Sequence, residues 1–150
     1  MYKRLFLLGA ILLLMSGCGK EKEVQPREIK PEVDACVVCQ MSIVHTDFAT
    51  QIVEQNGESH IFDDLGCMME YMEKQIDEED VAGAFVKDLE DGDWIKMNEA
   101  VYVYDEEFWT PMAYGVVSFS SKEKAEAYIA EQKKGKLLQY EDLKTFDWGF

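Results

Sequence analysis

Two stretches of the chain, each about fifty-five residues long, run through the same order of strand, strand, helix and strand, and a repeat of that length points to duplication of one supersecondary unit. In the first copy, β-branched and aromatic residues alternate with polar ones from Ser42 to Glu54. Asn56-Gly57 supplies a hairpin turn, and Glu58 to Phe62 returns as a second strand. Asp63 and Asp64 are placed to cap a helix whose apolar residues Leu65, Met68, Met69, Met72 and Ile76 fall at helical spacing. Val81 to Leu89 then gives a third strand. In the second copy, Ala100 to Asp105 and Ala113 to Phe119 read as strands and Ser120 to Gln132 as a helix, with Ser120 and Glu123 spaced as a capping box. Residues 136–143 read as a closing strand. The likeness reaches single positions: Phe62 and Tyr71 are spaced as Phe119 and Tyr128 are, and residues 87–94 parallel 141–148, each stretch ending in tryptophan. The expected fold is α+β, with two tandem ββαβ lobes over residues 33–94 and 95–150.

Duplication separates scaffold from chemistry. Phe62, Tyr71, Trp94 and their partners Phe119, Tyr128, Trp148 recur, and so belong to the core or to matching strand ends. Cys36, Cys39, Met41, Cys67 and Met68 have no sulfur counterparts, and Lys124 falls opposite Cys67. The sulfur residues of the first copy are therefore the functional candidates.

Ahead of the lobes, Lys3-Arg4 precedes the apolar run Leu5 to Met15, well short of the ~20 residues a membrane-spanning helix needs. A basic start, a short apolar run and small residues before a cleavage point form an export signal, expected over residues 1–17. Ser16-Gly17-Cys18 resembles a lipobox, with Met15 where leucine is preferred, which makes Cys18 the expected lipidation site and first mature residue. Residues 18–32 are charged, contain Pro26 and Pro31, and read as a flexible tether. The expected location is extracytoplasmic, lipid-anchored to a membrane.

The 30 acidic residues outnumber the 15 basic ones, two of which leave with the signal. Such a surface repels phosphate backbones and excludes nucleic acid as a partner. With Cys18 acylated, Cys36, Cys39 and Cys67 remain, an odd number that leaves one thiol unpaired even in an oxidising compartment.

Cys36 and Cys39 form a C-x-x-C, whose spacing lets two thiolates converge on a metal or close a tight disulfide. Met41 adds a thioether, a donor that favours soft ions such as Cu(I). Cys67 is expected in the first helical turn, where the helix dipole lowers a thiol pKa, and Met68 follows it. His60, His45 and Met112 are further candidate ligands. Three uses stay open: a closed Cys₃His zinc site with His60, a redox disulfide between Cys36 and Cys39, and a mixed Cys/Met/His site for Cu(I). Six methionines in the mature chain favour the last. No nucleophile and base pair stands out and the glycine-rich phosphate motifs are absent, so the chain does not read as an enzyme.

Taken together, "CVVCQM", "HIFDDLGCMMEYM", "VKDLEDGDW", "EAVYVY" and "TPMAYGVVSF" resemble the NosL family in order and spacing, from about Asp34 to Leu143. That resemblance implies an exported lipoprotein that acts as a copper chaperone for nitrous oxide reductase, with a two-lobed fold related to that of the organomercurial lyase MerB. It places the Cu(I) ligands among Cys36, Cys39 and Met41, Cys67 and Met68 after Gly66, and Met112 after Thr110-Pro111, with a histidine as a further donor, for which the residues themselves offer His60 and, unranked against it, His45. Gln40 stands where the family usually has glycine. The relation to MerB raises carbon–metal bond cleavage as an alternative, which an exported lipoprotein fits poorly. An extracytoplasmic module held by structural zinc or a disulfide, without metal delivery, is the other alternative.

Overall fold

The computed structural model describes residues 23–150, so the expected signal and Cys18 lie outside the described residues. Strands β1 (Thr50–Glu54) and β2 (Ser59–Phe62) form an antiparallel hairpin in the register Thr50 to Phe62 and Val53 to Ser59. Gly57, at φ +88°, takes the left-handed position that a three-residue hairpin loop requires. Helix α1 (Leu65–Lys74) follows, capped by Asp64, and buries its first turn, Leu65 to Met68. Strand β3 (Val81–Lys87) returns antiparallel to β1, and β4 (Trp94–Lys96) pairs with β3, giving a sheet ordered β2-β1-β3-β4.

The second half repeats this plan with β5 (Val101–Tyr104), β6 (Val116–Phe119), helix α2 (Lys122–Gln132) and β7 (Lys136–Leu138), in a sheet ordered β6-β5-β7. In both lobes the first strand lies between the second and third, and the helix crosses over it, so the tandem ββαβ reading holds. The repeated aromatic pair holds as well: ring centroids of Phe62 and Tyr71 lie 5.3 Å apart, those of Phe119 and Tyr128 5.1 Å. Asp64 and Ser121 cap the two helices in the same way, each accepting from the backbone N–H three residues on, which is Cys67 in one and Lys124 in the other.

Four local expectations differ. The long strand from Ser42 shrinks to β1, because Cys36 N–H to Met41 and Ile43 N–H to Asp34 fold residues 34–43 into a tight loop closed by an Ala35 to Ser42 bridge, and Thr46–Phe48 then form a 3₁₀ turn. The cap of α2 is Ser121, one residue beyond the expected Ser120. The closing strand stops at Leu138, where Gln139 and Asp142 form a capping box for α3 (Tyr140–Leu143). Trp94 and Trp148 are not equivalent: Trp94 lies half-buried on edge strand β4 under the Lys87 ammonium, whereas Trp148 is buried and donates to the Leu143 carbonyl at 3.0 Å. Strand β4 has no second-lobe counterpart, and that breaks the parallel between residues 87–94 and 141–148.

One apolar core joins the lobes. Ile52, Phe62, Leu65 and Met68 from the first pack in the same cluster as Tyr102, Val116, Leu138, Leu143 and Trp148 from the second. A smaller cluster around Phe108, Val117 and Phe119 lies within the second lobe. Of the expected tether, residues 23–32 are described, and part of them lies on the first lobe. Arg27 N–H donates to the buried Gln51 side chain at 2.8 Å, and the Gln51 amide donates back to the Arg27 carbonyl at 3.1 Å.

Candidate metal centre

The loop closed by the Ala35 to Ser42 bridge meets the start of α1 along the outer edge of β2. Cys36 N–H donates to the Met41 carbonyl at 2.8 Å and Gln40 N–H to the Cys36 carbonyl at 3.0 Å. Val37 N–H pins the loop to Ile61 of β2 at 3.1 Å. The turn obliges Gln40 to adopt φ +64°, a left-handed conformation that glycine takes without cost. Gln40 recovers one contact, donating its side-chain amide to the Val37 carbonyl at 2.8 Å. From β2 the chain passes through Asp63 and Asp64 into α1, which sets Cys67 at the third helical position with its N–H on Asp64 Oδ1 at 3.1 Å.

Cys36, Cys39, Cys67 and Asp63 thereby bring one donor atom each within 4.8 Å of one another. All three cysteines are free thiols. Cys36, Cys67 and Asp63 are buried and Cys39 is half-buried, so access to the cluster runs past Cys39. Asp63 Oδ2 accepts from the Cys39 thiol at 3.3 Å, whereas the buried Oδ1 has no hydrogen-bond partner among the described residues. An unpartnered buried acceptor is costly, and beside three sulfurs it fits a cation.

The sulfurs divide the charge unequally. The neighbouring Cys67 thiol and the backbone N–H groups of Cys39, Asp63 and Val38 favour the thiolate of Cys36 and lower it below the ordinary thiol range against the pull of burial. Cys67 is pushed well above the ordinary thiol range by the adjacent Cys36 sulfur, by burial, and by the negative charge of Cys36 and Asp63. Burial, with Cys36 and Asp63, pushes Cys39 up to about 12. The helix dipole was expected to favour a thiolate at Cys67. Burial and the negative charge of Asp63 oppose a thiolate at Cys67, whereas the amides around Cys36 favour one there.

The other sequence candidates are distributed around this cluster. Met68, fully buried, follows Cys67 into the shared core; Met41 is 45% exposed at the loop's end. Met112 is half-buried, and its N–H donates to Asp64 Oδ2 at 2.9 Å, alongside the Thr110 hydroxyl at 3.3 Å. A single buried carboxylate thus caps α1 and holds the second lobe's Thr110-Pro111-Met112 loop against it. Tyr114 from the same loop lies over Gly66, where any Cβ would penetrate its ring. His60 is not among the four converging groups; its Nε2 lies 2.5 Å from Glu54 Oε1. His45 is exposed, edge-on to Trp109 at 4.7 Å between ring centroids. Asp63 is the member that sequence reasoning missed. The double aspartate was its signal, since a helix needs one cap and Asp64 supplies it.

Three thiols and a carboxylate with one partly open side suit a soft or borderline cation rather than a hard one. A family model described as NosL matches residues 26–146. In fold the chain is similar to a crystal structure described as the copper chaperone NosL from Shewanella denitrificans, with 23% identity, a TM-score of 0.66, and coverage of 78% of this chain and 93% of that one. None of the curated proteins matches the chain.

Proposed function

The chain belongs to the NosL family, and from that premise we propose that it is a Cu(I) chaperone rather than an enzyme. In this reading it is exported, anchored by lipid on Cys18, and delivers copper to a copper enzyme, with nitrous oxide reductase as the expected client. The observation that carries the proposal is the convergence of Cys36, Cys39, Cys67 and Asp63 within 4.8 Å, with Cys39 alone of the three sulfurs reaching toward solvent. Copper is cargo here, so the site must both hold it and release it. Cys36, nested among amides, and the buried Cys67 supply the inner sulfurs; Cys39 is placed to give way first to a partner's ligand. Met41, exposed beside it, and Met112, across the lobe boundary, are the thioethers that would accompany the ion out.

Anaerobic titration against a competing Cu(I) chelator tests this. Tight, stoichiometric Cu(I) binding that weakens at least about tenfold in Cys39→Ser is expected. Strong zinc retention with weak Cu(I) binding would sink the proposal. Asp63 favours one second reading, a closed Cys₃Asp zinc site in place of the Cys₃His arrangement with His60, because it supplies a fourth protein donor. In that case Asp63→Asn would abolish zinc retention and cost much of the stability.

A further inference from the structure

Away from the sulfur cluster, the tip of the β1–β2 hairpin gathers three more donors. One side-chain atom each of Glu54, Glu58 and His60 lies within 4.8 Å of the others. The strand register explains the grouping: the pairing that sets Val53 opposite Ser59 continues to Glu54 and Glu58, whose backbones bond at 2.8 Å, and His60 follows Glu58 by two residues, on the same face. Asn56, in the turn, donates to Glu54 Oε2 at 3.0 Å and leaves Oε1 facing His60 Nε2.

As an ion pair this arrangement is unbalanced. Two carboxylates directly opposite each other on a sheet repel, and a single imidazolium cannot neutralise both. No Lys or Arg among the described residues pairs with either glutamate. Tyr71 lies 5.0 Å from His60 between ring centroids, and its phenol is raised by burial and by the charges of Glu54 and Glu58, so its hydroxyl shares the same negative field. What the hairpin tip lacks is positive charge with room for both nitrogen and oxygen ligands.

We infer that Glu54, Glu58 and His60 form a second cation site, distinct from the sulfur cluster, for a borderline divalent ion of the Zn²⁺ type. An imidazole with two carboxylates suits such ions and not Cu(I), which favours sulfur, nor Ca²⁺ or Mg²⁺, which favour oxygen alone. Donors within this span need only small rotamer adjustments to reach a common ion at ~2.0–2.1 Å. Glu54 and His60, half-buried, form the inner side, and the exposed Glu58 closes the site from solvent.

The chain has two histidines, so imidazole ¹⁵N NMR of the whole protein reads the site directly. With Zn²⁺ added in excess of the thiols and no copper present, the His60 ring nitrogens shift and those of His45 do not. Glu58→Gln, at an exposed position that leaves the fold intact, weakens the Zn²⁺ affinity read at His60 by about tenfold. Cys39→Ser leaves the His60 response in place. A His60 ring unmoved by Zn²⁺, an affinity unchanged in Glu58→Gln, or a response lost in Cys39→Ser each overturns the inference. None of these readouts involves Cu(I), so they stand or fall independently of the chaperone proposal.

Discussion

Gly66 has room for nothing but hydrogen, because the Tyr114 ring occupies the place of its Cβ. Gly66→Ala is therefore expected to destabilise the protein by about 1–3 kcal/mol in urea unfolding, against a helix-propensity gain of about 1 kcal/mol. In a Tyr114→Ala background the sign should reverse, which separates ring clash from any effect on the neighbouring Cys67. Gln40 presents the opposite case, a side chain where the backbone prefers none. At φ +64°, Gln40→Gly should raise stability by about 0.5–1 kcal/mol, and a fall in the urea midpoint would mean that the lost bond to the Val37 carbonyl outweighs the relief of strain. At this scale the sequence was informative about types and poor about neighbours. The cysteines stood out because the second copy lacks them. Asp63 did not, because the residue it faces, Cys39, lies far from it along the chain and only the loop pinned to Ile61 brings the two together.

Helix α1 is the element on which the site depends, and Asp64 is where it can be loosened. Removing its side chain in Asp64→Ala deletes a cap and leaves the N–H of Met112 and the Thr110 hydroxyl without their acceptor, for an expected loss of about 2–4 kcal/mol. Asp64→Asn, which keeps an accepting oxygen at the cap, should lose less. Hydrogen exchange at the Met112 amide provides the local check: protection should fall in Asp64→Ala before global unfolding does. Elements with strong local signals were readable, as Asn56-Gly57 for the hairpin and Asp64 with the following apolar stripe for α1 illustrate. Elements decided by closure were not. The segment after Ser42 has strand composition, yet the loop around the cysteines takes the backbone bond of Ile43 and a 3₁₀ turn at Thr46–Phe48 takes those that follow. Residues 136–143 read as one closing strand, but the reciprocal Gln139–Asp142 cap ends it at Leu138 and starts α3.

Over the whole molecule, the shared core means that the lobes should not unfold separately. Tryptophan fluorescence and far-UV circular dichroism are expected to report one coincident urea transition, and two resolved transitions would contradict the continuity of the core from Phe62 to Trp148. Acid should act through the contact between lobes at Asp88. Burial alone would raise this carboxyl, but Ser120, Lys124 and the Glu90 amide hold it well below the ordinary range. Its folded pKa thus lies under the unfolded value of about 3.9, so its contribution is complete above that pH and is lost as the pH falls through it. Asp34, held down chiefly by its bond to Arg27, acts in the same direction, whereas Asp64, raised by burial, opposes them. Asp88→Asn should accordingly show a flatter dependence of stability on pH below about 4 than the native chain. The same contact limits what an engineer can ask of the fold. Lys124 occupies the position in α2 that Cys67 occupies in α1, which makes Lys124→Cys the obvious first step toward copying the sulfur site into the second half. That exchange would take the ammonium away from Asp88 and leave a buried carboxylate between the lobes with backbone N–H donors but no countercharge. Doubling the sulfur site would thus mean redesigning the joint.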